Sequence, residues 1–444
     1  MKVIIIGGIA AGMSAAAKLR RVDKEVEVVV IEKQSYISFG ACGLPYYVGD
    51  FFDNQERMLV RTPEQARAMG IDIRVESEVI GVDVTKKELQ VKALTTGEIT
   101  CESFDKLMIA TGARAAMPPI TNSSLDHVYQ LRTLEDGNLL REKLAEDGIH
   151  RIGIIGAGFI GLEVVEAVKK LGKEAIVFQQ QSRILNQVFD QEITDLLEEE
   201  LRSQGVQLYL NATVTGFEGE TTVQAILSDQ GRVQVDAVVV ATGVLPNTEF
   251  LKDTGIQRLP NGAIVIDEEG RTSIPDIYAA GDCATVPHRL KDEPSYIPLA
   301  TTANKIGRIV GENLAGNHER FEGTLGSSCL KVLDLEAGST GLTESEANRL
   351  GLKVKSVFIT DKNHTDYYPG QEKLSIKLVY EEKTKVILGG QVVGKSDAVQ
   401  RTNVIATAIF AKMTTKQLGM MDFCYAPPFA RTWDALNIAG NAAK

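Results

Sequence analysis

Disulfide frameworks and zinc sites are the first things this sequence is too poor to build. Its five cysteines, Cys42, Cys101, Cys283, Cys329 and Cys424, contain no C-x-x-C pair and no spacing with the histidines that reads as a metal site. An odd, scattered set of thiols is the pattern of a reduced, cytoplasmic chain, and no metal is expected. Nor is there an uninterrupted apolar run near the roughly 18 residues of a membrane span. Met1-Lys2 and the apolar stretch to Ala17 imitate a signal peptide, but Gly7, Gly8 and Gly12 break it into strand, turn and helix. Proline is sparse, 13 residues against 40 glycines, and no low-complexity tract or heptad array is present, which removes collagenous, mucin-like and repeat readings. Basic charge is short as well. The 48 Lys and Arg against 59 Asp and Glu leave a net −11, a field that repels nucleic acid and anionic lipid.

What is present is a globular α/β pattern that repeats. At roughly 150 residues per domain the chain length predicts about three domains. Val3–Gly8 (VIIIGG) runs into AAGMSAAAKLRR and then EVVVIEK, while Ile152–Gly156 (IGIIG) runs into AGFIGLEVVEAVKKLG and then EAIVFQQ. Both read strand, glycine turn, helix, strand, and both are closed by a similar phrase, LMIATGA at Leu107–Ala113 and VVVATGV at Val238–Val244. Two Rossmann-like dinucleotide-binding domains are therefore expected, a discontinuous one at 1–114 and 245–321 and an inserted one at 115–244. The return segment carries a short strand ending at Gly281-Asp282 and a helical stretch from Pro298 to Leu314. A third region, 322–444, mixes strand patterns at Leu374–Tyr380 and Val386–Val393 with a helix near Asp397–Lys412, an α+β composition with no nucleotide turn.

The second turn, Gly156-x-Gly158-x-x-Gly161, follows a β-run and opens a helix, the context in which glycines let the backbone approach a pyrophosphate. The acid that would grip a ribose 2′-hydroxyl is replaced by Gln179, with Gln180, Gln181 and the cation Arg183 behind it, which leaves NADH and NADPH both open. The first turn, Gly7-Gly8-Ile9-Ala10-Ala11-Gly12, lacks the middle glycine, but Glu32 lies 20 residues past Gly12, where a carboxylate accepts hydrogen bonds from an adenosine ribose. Asp282 beside Gly281 is a second handle, suited to the polyol of a flavin. Two dinucleotide sites in one chain imply a hydride donor and a flavin acceptor. Cys42 then stands out, in SFGACGLPYY ten residues beyond Glu32, at the expected start of a helix whose N-terminus favours a thiolate. Three and five residues on stand Pro45 and Tyr47, so the thiol has no local sulfur partner and must cycle through a mixed disulfide or a sulfenic acid. Cys101, Cys283 and Cys329 read as buried structural residues.

The segments GGIAAGMSAA, SFGACGLPYY, GAGFIGLEVVE, YAAGDCA, DYYPG and CYAPPF together resemble the single-cysteine branch of the pyridine nucleotide-disulfide oxidoreductases, most closely its coenzyme A-disulfide reductases. The resemblance implies an FAD domain, an NAD(P)H domain and a C-terminal dimerisation domain that completes the partner's active site in a homodimer. It implies FAD contacts at Gly7, Gly8, Ala11, Gly12, Glu32, Lys33, Thr111, Gly112, Gly281, Asp282, Pro298 and Ala300. For NAD(P)H it implies Gly156, Gly158, Ile160, Gly161, Glu163, Gln179 and Gly243, with Glu163 near the nicotinamide channel. Cys42 matches the redox cysteine, and Tyr367 and Tyr425 match two tyrosines that reach across the dimer toward it, although Tyr368 competes with Tyr367 for the inward position. Ser38, Arg21 and Asn304 are candidate substrate contacts, and Arg20, Arg61 and Arg431 are further candidate cations. With its end at residue 444, the chain is expected to lack the rhodanese domain that some relatives append.

Three departures bear on activity. NADH peroxidases and water-forming oxidases of this branch place a histidine where this chain has Ala10, which removes the acid for peroxide or oxygen chemistry. The residue before the cysteine is Ala41 rather than asparagine, and Trp433 replaces a lysine. The expected activity is FAD-dependent, NAD(P)H-driven reduction of a small disulfide, coenzyme A disulfide first, through Cys42. NADH oxidase or peroxidase and persulfide or polysulfide reductase are alternatives of the same class. A thiol-independent electron-transfer flavoprotein reductase is the rival from another, and it has no need of Cys42.

Overall fold

The computed structural model describes residues 1–444. It divides into two compact units, one made of Met1–Leu44, Phe52–Ala116 and Val244–Thr324, the other of Pro45–Phe51, Met117–Gly243 and Leu325–Lys444.

At the centre of the first unit lies a parallel sheet in the order Ile277–Ala279, Lys106–Ile109, Lys2–Ile6, Glu27–Ile31, Asp72–Arg74. Its strands are near-continuous apolar runs because both faces are covered: Val3, Ile4, Ile5, Val29 and Val30 are fully buried. The alanine-rich segment forms the helix Ala10–Val22, and its small side chains admit a second helix, Ala300–Leu314, at close range. A Cβ on Gly307 or Gly311 would lie 2.4 or 2.6 Å from the carbonyl oxygens of Ala11 and Ala15. A three-stranded antiparallel sheet (Ser77–Asp83, Glu88–Ala93, Ile99–Ser103) is added, and Ala113–Ala115 pairs with Val244–Pro246 where the chain leaves and returns.

The second unit repeats that plan. Its parallel sheet runs Gln207–Leu210, Glu174–Gln179, Arg151–Ile155, Ala237–Val240, Val128–Tyr129, again with a three-stranded antiparallel sheet beside it in sequence. The helix Phe159–Lys170 follows the glycine turn. The same unit contains an antiparallel sheet in the order Ser328–Val332, Leu335–Gly341, Ile387–Gly394, Lys373–Glu381, Val354–Lys362, with the helix Ala398–Phe410 laid on its glycines. A buried lysine ties these parts together. Lys377 is 2% exposed, and its ammonium meets Glu192 and Glu344 at 2.8 Å and Asp190 at 3.6 Å. Burial alone would push its pKa down, but the three carboxylates outweigh it and hold the lysine charged.

The α/β class with two Rossmann-like domains and an α+β C-terminal region is as expected. One element differs at a place that matters. Cys42 does not begin an α-helix; it is the middle of a 3-10 turn, Ala41–Gly43, and the helix behind it, Leu44–Val48, has five residues. Pro45 cannot donate a backbone hydrogen bond, so it is tolerated in the first turn of that helix. A helix this short supplies little dipole to a thiolate. No helix of the chain is long and apolar enough to cross a membrane.

Candidate active site

The first glycine turn is held by contacts that only glycine permits. Gly7 has φ +107°, donates its N–H to Ile31 O at 2.8 Å, and a Cβ there would sit 2.2 Å from Ala110 O. A Cβ on Gly12 would lie 1.9 Å from Gly7 O. The next N–H, of Gly8, donates to Glu32 Oε2 at 2.6 Å, and Glu32 Oε1 accepts from Gln34 N at 2.8 Å. Burial raises the Glu32 pKa, and the bonds from Gln34 and Gly8 pull it back only in part. With a third backbone bond from Lys33, the carboxylate has three of its roughly four acceptor sites engaged and capacity left for a ribose hydroxyl, as a flavin adenine dinucleotide requires. Lys33 is paired with Glu78 at 2.7 Å. Thr111 and Gly112 are stitched to the returning chain: Thr111 Oγ1 donates to Asn247 O at 2.7 Å, and Asn247 N donates to Gly112 O at 2.9 Å. Gly281, with φ +84°, rests against Ala11, where a Cβ would be 3.2 Å from the alanine methyl. The Asp282 carbonyl accepts from the Tyr296 hydroxyl at 2.9 Å. Pro298 and Ala300 are exposed at the start of their helix, which has no side-chain cap, so its first N–H groups are open to a ligand.

The same unit carries the Cys42 turn. Gly43 N donates to Gly40 O at 2.9 Å and Gly40 N to Met58 O at 2.8 Å, while a Cβ on Gly43 would touch the Met58 thioether at 3.0 Å. Met58, which the motifs did not single out, is thus the floor of the turn. Cys42 itself is exposed and is not in a disulfide. Ser38 adopts φ +53° and links Gly8 O to Val60 N through its own backbone. Asn304 accepts from the Ser14 hydroxyl at 2.7 Å and remains exposed. Arg21 is exposed, whereas Arg20 spends its guanidinium on Lys24 O and Val26 O at 2.7 and 2.9 Å.

The turn of the second unit reproduces the first atom for atom. Gly156 (φ +103°) donates to Phe178 O at 2.8 Å, its Cβ would meet Ala241 O at 2.4 Å, and a Cβ on Gly161 would meet Gly156 O at 2.0 Å. Gln179 takes the role of Glu32: its Oε1 accepts from Ala157 N at 3.0 Å, and its Nε2 donates to Arg183 O at 3.3 Å. At Gly158 and Gly243 a Cβ would meet nothing within 4 Å, so backbone faces open space where a pyrophosphate needs approach. Ile160 is half-buried on the first turn of the following helix. Arg183 forms an ion pair with Asp195 and also donates to Thr194 Oγ1 at 3.2 Å, so it is not idle. Glu163 is mostly buried. Desolvation and the neighbouring Glu166 raise its pKa to about 7, and a hydrogen bond from Tyr46 opposes them. Tyr46, four residues past Cys42, is not singled out by any sequence pattern, because its contact with Glu163 is non-local.

In the C-terminal region the Tyr367 and Tyr425 hydroxyls lie 3.1 Å apart. That bond, then burial, raises the Tyr425 pKa. Tyr368 packs edge-on against His364, with ring centroids 5.7 Å apart, which leaves Tyr367 as the outward tyrosine, 70% exposed. Arg431 is ion-paired with Asp361. The reading of Cys101 and Cys329 as buried is corrected: both are exposed. Cys283 is buried as expected, and burial pushes its thiol up to about 11.

A buried carboxylate at one glycine turn and an open pyrophosphate cradle at the other fit FAD and a nicotinamide dinucleotide, which defines the class as a flavin-dependent oxidoreductase. The chain belongs to the pyridine nucleotide-disulphide oxidoreductase family, whose model matches residues 1–307, with the model of its dimerisation domain matching 327–436. It is 36% identical over 445 residues to an NADH oxidase of Enterococcus faecalis, covering 100% of this chain and 99% of that one. It is 30% identical over 446 residues to a coenzyme A disulfide reductase of Staphylococcus aureus, covering all of both chains. Among solved structures it resembles an NAD-dependent persulfide reductase from A. fulgidus, with a TM-score of 0.96, 34% identity, and 100% of this chain matched to 83% of that one. It is an FAD-dependent NAD(P)H oxidoreductase.

Proposed function

We propose that this oxidoreductase reduces a small-molecule disulfide, coenzyme A disulfide, with Cys42 as its one redox thiol. The observation that supports this is the exposed Cys42 sulfur, presented on a backbone-pinned turn in the unit that also carries the Glu32 turn. The Cys42 thiolate attacks one sulfur of the substrate; the S–S bond breaks, one thiol leaves with a proton, and the other half stays as a mixed disulfide. Two electrons and one proton then release the second thiol and restore the thiolate. When bound, FAD relays those electrons from NAD(P)H. Tyr367 and Tyr425, already sharing a proton between their hydroxyls, are suited to donate a hydrogen bond to a departing thiolate across a homodimer, with Ser38, Arg21 and Asn304 toward the substrate.

A second reading, reduction of a persulfide, has the A. fulgidus relative in its favour and uses the same sulfur and the same S–S cleavage. Oxygen or peroxide chemistry is less suited to Ala10. The first turn carries no imidazole: in its unit His288 is buried and takes the Leu290 N–H, and His318 is bonded with Glu269. Intact mass of the purified, unreduced protein tests the substrate. The expected result is a gain of one coenzyme A less two hydrogens, lost in Cys42→Ser; a bare or oxidised thiol shifts the weight to the persulfide and oxidase readings.

Cofactor choice follows from Gln179 and Arg183. A neutral amide at the ribose position neither grips a 2′-hydroxyl as an acid does nor repels a 2′-phosphate. Gln179→Glu keeps the acceptor for Ala157 N and adds a negative charge. We expect kcat/KM for NADPH to fall at least about tenfold relative to NADH, read by steady-state kinetics with each dinucleotide.

A further inference from the structure

We infer that Ser339, Gln391 and Lys377, a buried polar row on the C-terminal antiparallel sheet, are positioning residues for NAD(P)H: they clamp the loop behind the second glycine turn and so hold the dinucleotide cradle in its binding shape. The inference rests on the reading of that turn as the NAD(P)H turn. The three residues stand in register, Ser339 paired with Gln391 and Gln391 with Lys377, so they share one face of three adjacent strands. They are 6%, 1% and 2% exposed. All three spend their polar atoms on one short stretch of chain. Ser339 Oγ donates to Val188 O at 2.8 Å. Gln391 grips Asp190 twice, accepting from its backbone N–H at 2.7 Å and donating to its Oδ2 at 2.6 Å. The Lys377 ammonium reaches Asp190 at 3.6 Å and Glu192 at 2.8 Å.

Val188–Asp190 closes the loop that runs from the strand Glu174–Gln179 to the helix Gln191–Ser203. From there backbone bonds lead to the glycine turn. Val188 N and Phe189 N donate to Leu185 O at 2.9 and 3.1 Å, and Leu185 N donates to Ala157 O at 3.2 Å, between Gly156 and Gly158. Leu185 is 5% exposed and has φ +47°, a left-handed conformation that a leucine keeps only where its surroundings impose it. It is held from both sides, by the turn in front and by the clamped segment behind. A sheet face needed only for stability would be served as well by apolar side chains, without the cost of burying a lysine, an amide and a hydroxyl. What the polar row adds is a fixed position for the loop. With the clamp loosened, Leu185 relaxes, Ala157 loses its anchor, and the cradle must be ordered at the expense of binding.

The test is stopped-flow bleaching of the FAD-loaded enzyme by NADH, whose concentration dependence gives Kd and whose plateau gives the rate of flavin reduction. Gln391→Met nearly keeps the side-chain volume and removes both bonds to Asp190. Ser339→Ala removes a single bond and carries the test if the first variant does not fold. We expect Kd to rise at least about fivefold in Gln391→Met and about twofold to threefold in Ser339→Ala, the scale of lost hydrogen bonds, with the loss in Kd rather than in the plateau. Ile376→Ala is the control. Ile376 is in register with Val392 and Gly338, on the opposite face, where the helix Ala398–Phe410 meets Gly338 and Gly390 through Thr402 and Ile405. It should lower the melting temperature and leave Kd with the parent's. Unchanged Kd in folded Gln391→Met and Ser339→Ala overturns the inference. So does a rise in Ile376→Ala equal to theirs, because the effect then follows stability and not the clamp. Both outcomes leave the reading of the turn standing. A Gly161→Val enzyme that NADH still bleaches with the parent's Kd removes the second turn from the dinucleotide site and takes the inference with it.

Discussion

Cys42→Ser is expected to lower turnover of the proposed substrate, coenzyme A disulfide, by about a thousandfold or more, while FAD stays bound and NADH still reduces it. The loss is on the scale seen when an enzyme loses its nucleophile, because a serine hydroxyl is not ionised near neutral pH and cannot leave as a thiolate does. Retention of the flavin follows from how the turn is built. Its shape comes from Gly43 N to Gly40 O, Gly40 N to Met58 O and the contact of Gly43 with Met58, none of which uses the sulfur. The residues expected to hold FAD are elsewhere, at Gly7–Gly12, Glu32 and Asp282. Stopped-flow bleaching of the flavin by NADH and steady-state disulfide reduction separate the two halves. Full turnover in the variant would assign the chemistry to another thiol, and exposed Cys329 and Cys424 would be the places to look.

Much of this architecture is legible because its signals are local. The two strand-turn-helix units announce themselves by glycines at fixed spacing between apolar runs, and the spacing is physical: at Gly7, Gly12, Gly156 and Gly161 a Cβ would overlap a carbonyl oxygen 1.9 to 2.4 Å away, while at Gly158 the backbone is left open. Glu32 was found from its distance to Gly12, although its bonds to the backbone of the turn it follows could not be. The tyrosine pair came from resemblance alone. What escaped is either non-local or a matter of face. Tyr46 meets Glu163, and Lys377 meets Glu192, across stretches of chain that no periodicity spans. Cys329 was misread because its strand looks interior, yet the strand alternates: Leu330 and Val332 are buried, whereas Cys329 is exposed and shares its face with Lys331, the charged residue two places on. Cys101 was misread for a different reason: it lies in the edge strand Ile99–Ser103, in which no residue is buried.

Gly12→Val and Gly161→Val should dissect the two dinucleotide sites, the first yielding colourless protein and the second yellow protein that NADH cannot reduce. At Gly12 the first new carbon alone would lie 1.9 Å from Gly7 O and 3.1 Å from the Ile5 side chain. Gly7 cannot retreat. Its N–H is bonded to Ile31 O at 2.8 Å, and any shift toward the neighbouring strand meets Ala110 O. The helix Ala10–Val22 cannot retreat freely either, because Gly307 packs on Ala11 from the other side, with room for no Cβ. The strain of overpacking, of the order of 1–3 kcal/mol, is relieved by displacing the turn, and the N–H groups expected to meet the FAD pyrophosphate move with it. Gly161 repeats the geometry against Gly156 O at 2.0 Å, in the other unit. Flavin absorbance per polypeptide reads the first site, and NADH-dependent bleaching reads the second. A Gly12→Val protein that purifies with a full complement of flavin would remove the first turn from the FAD site, however well its spacing matches.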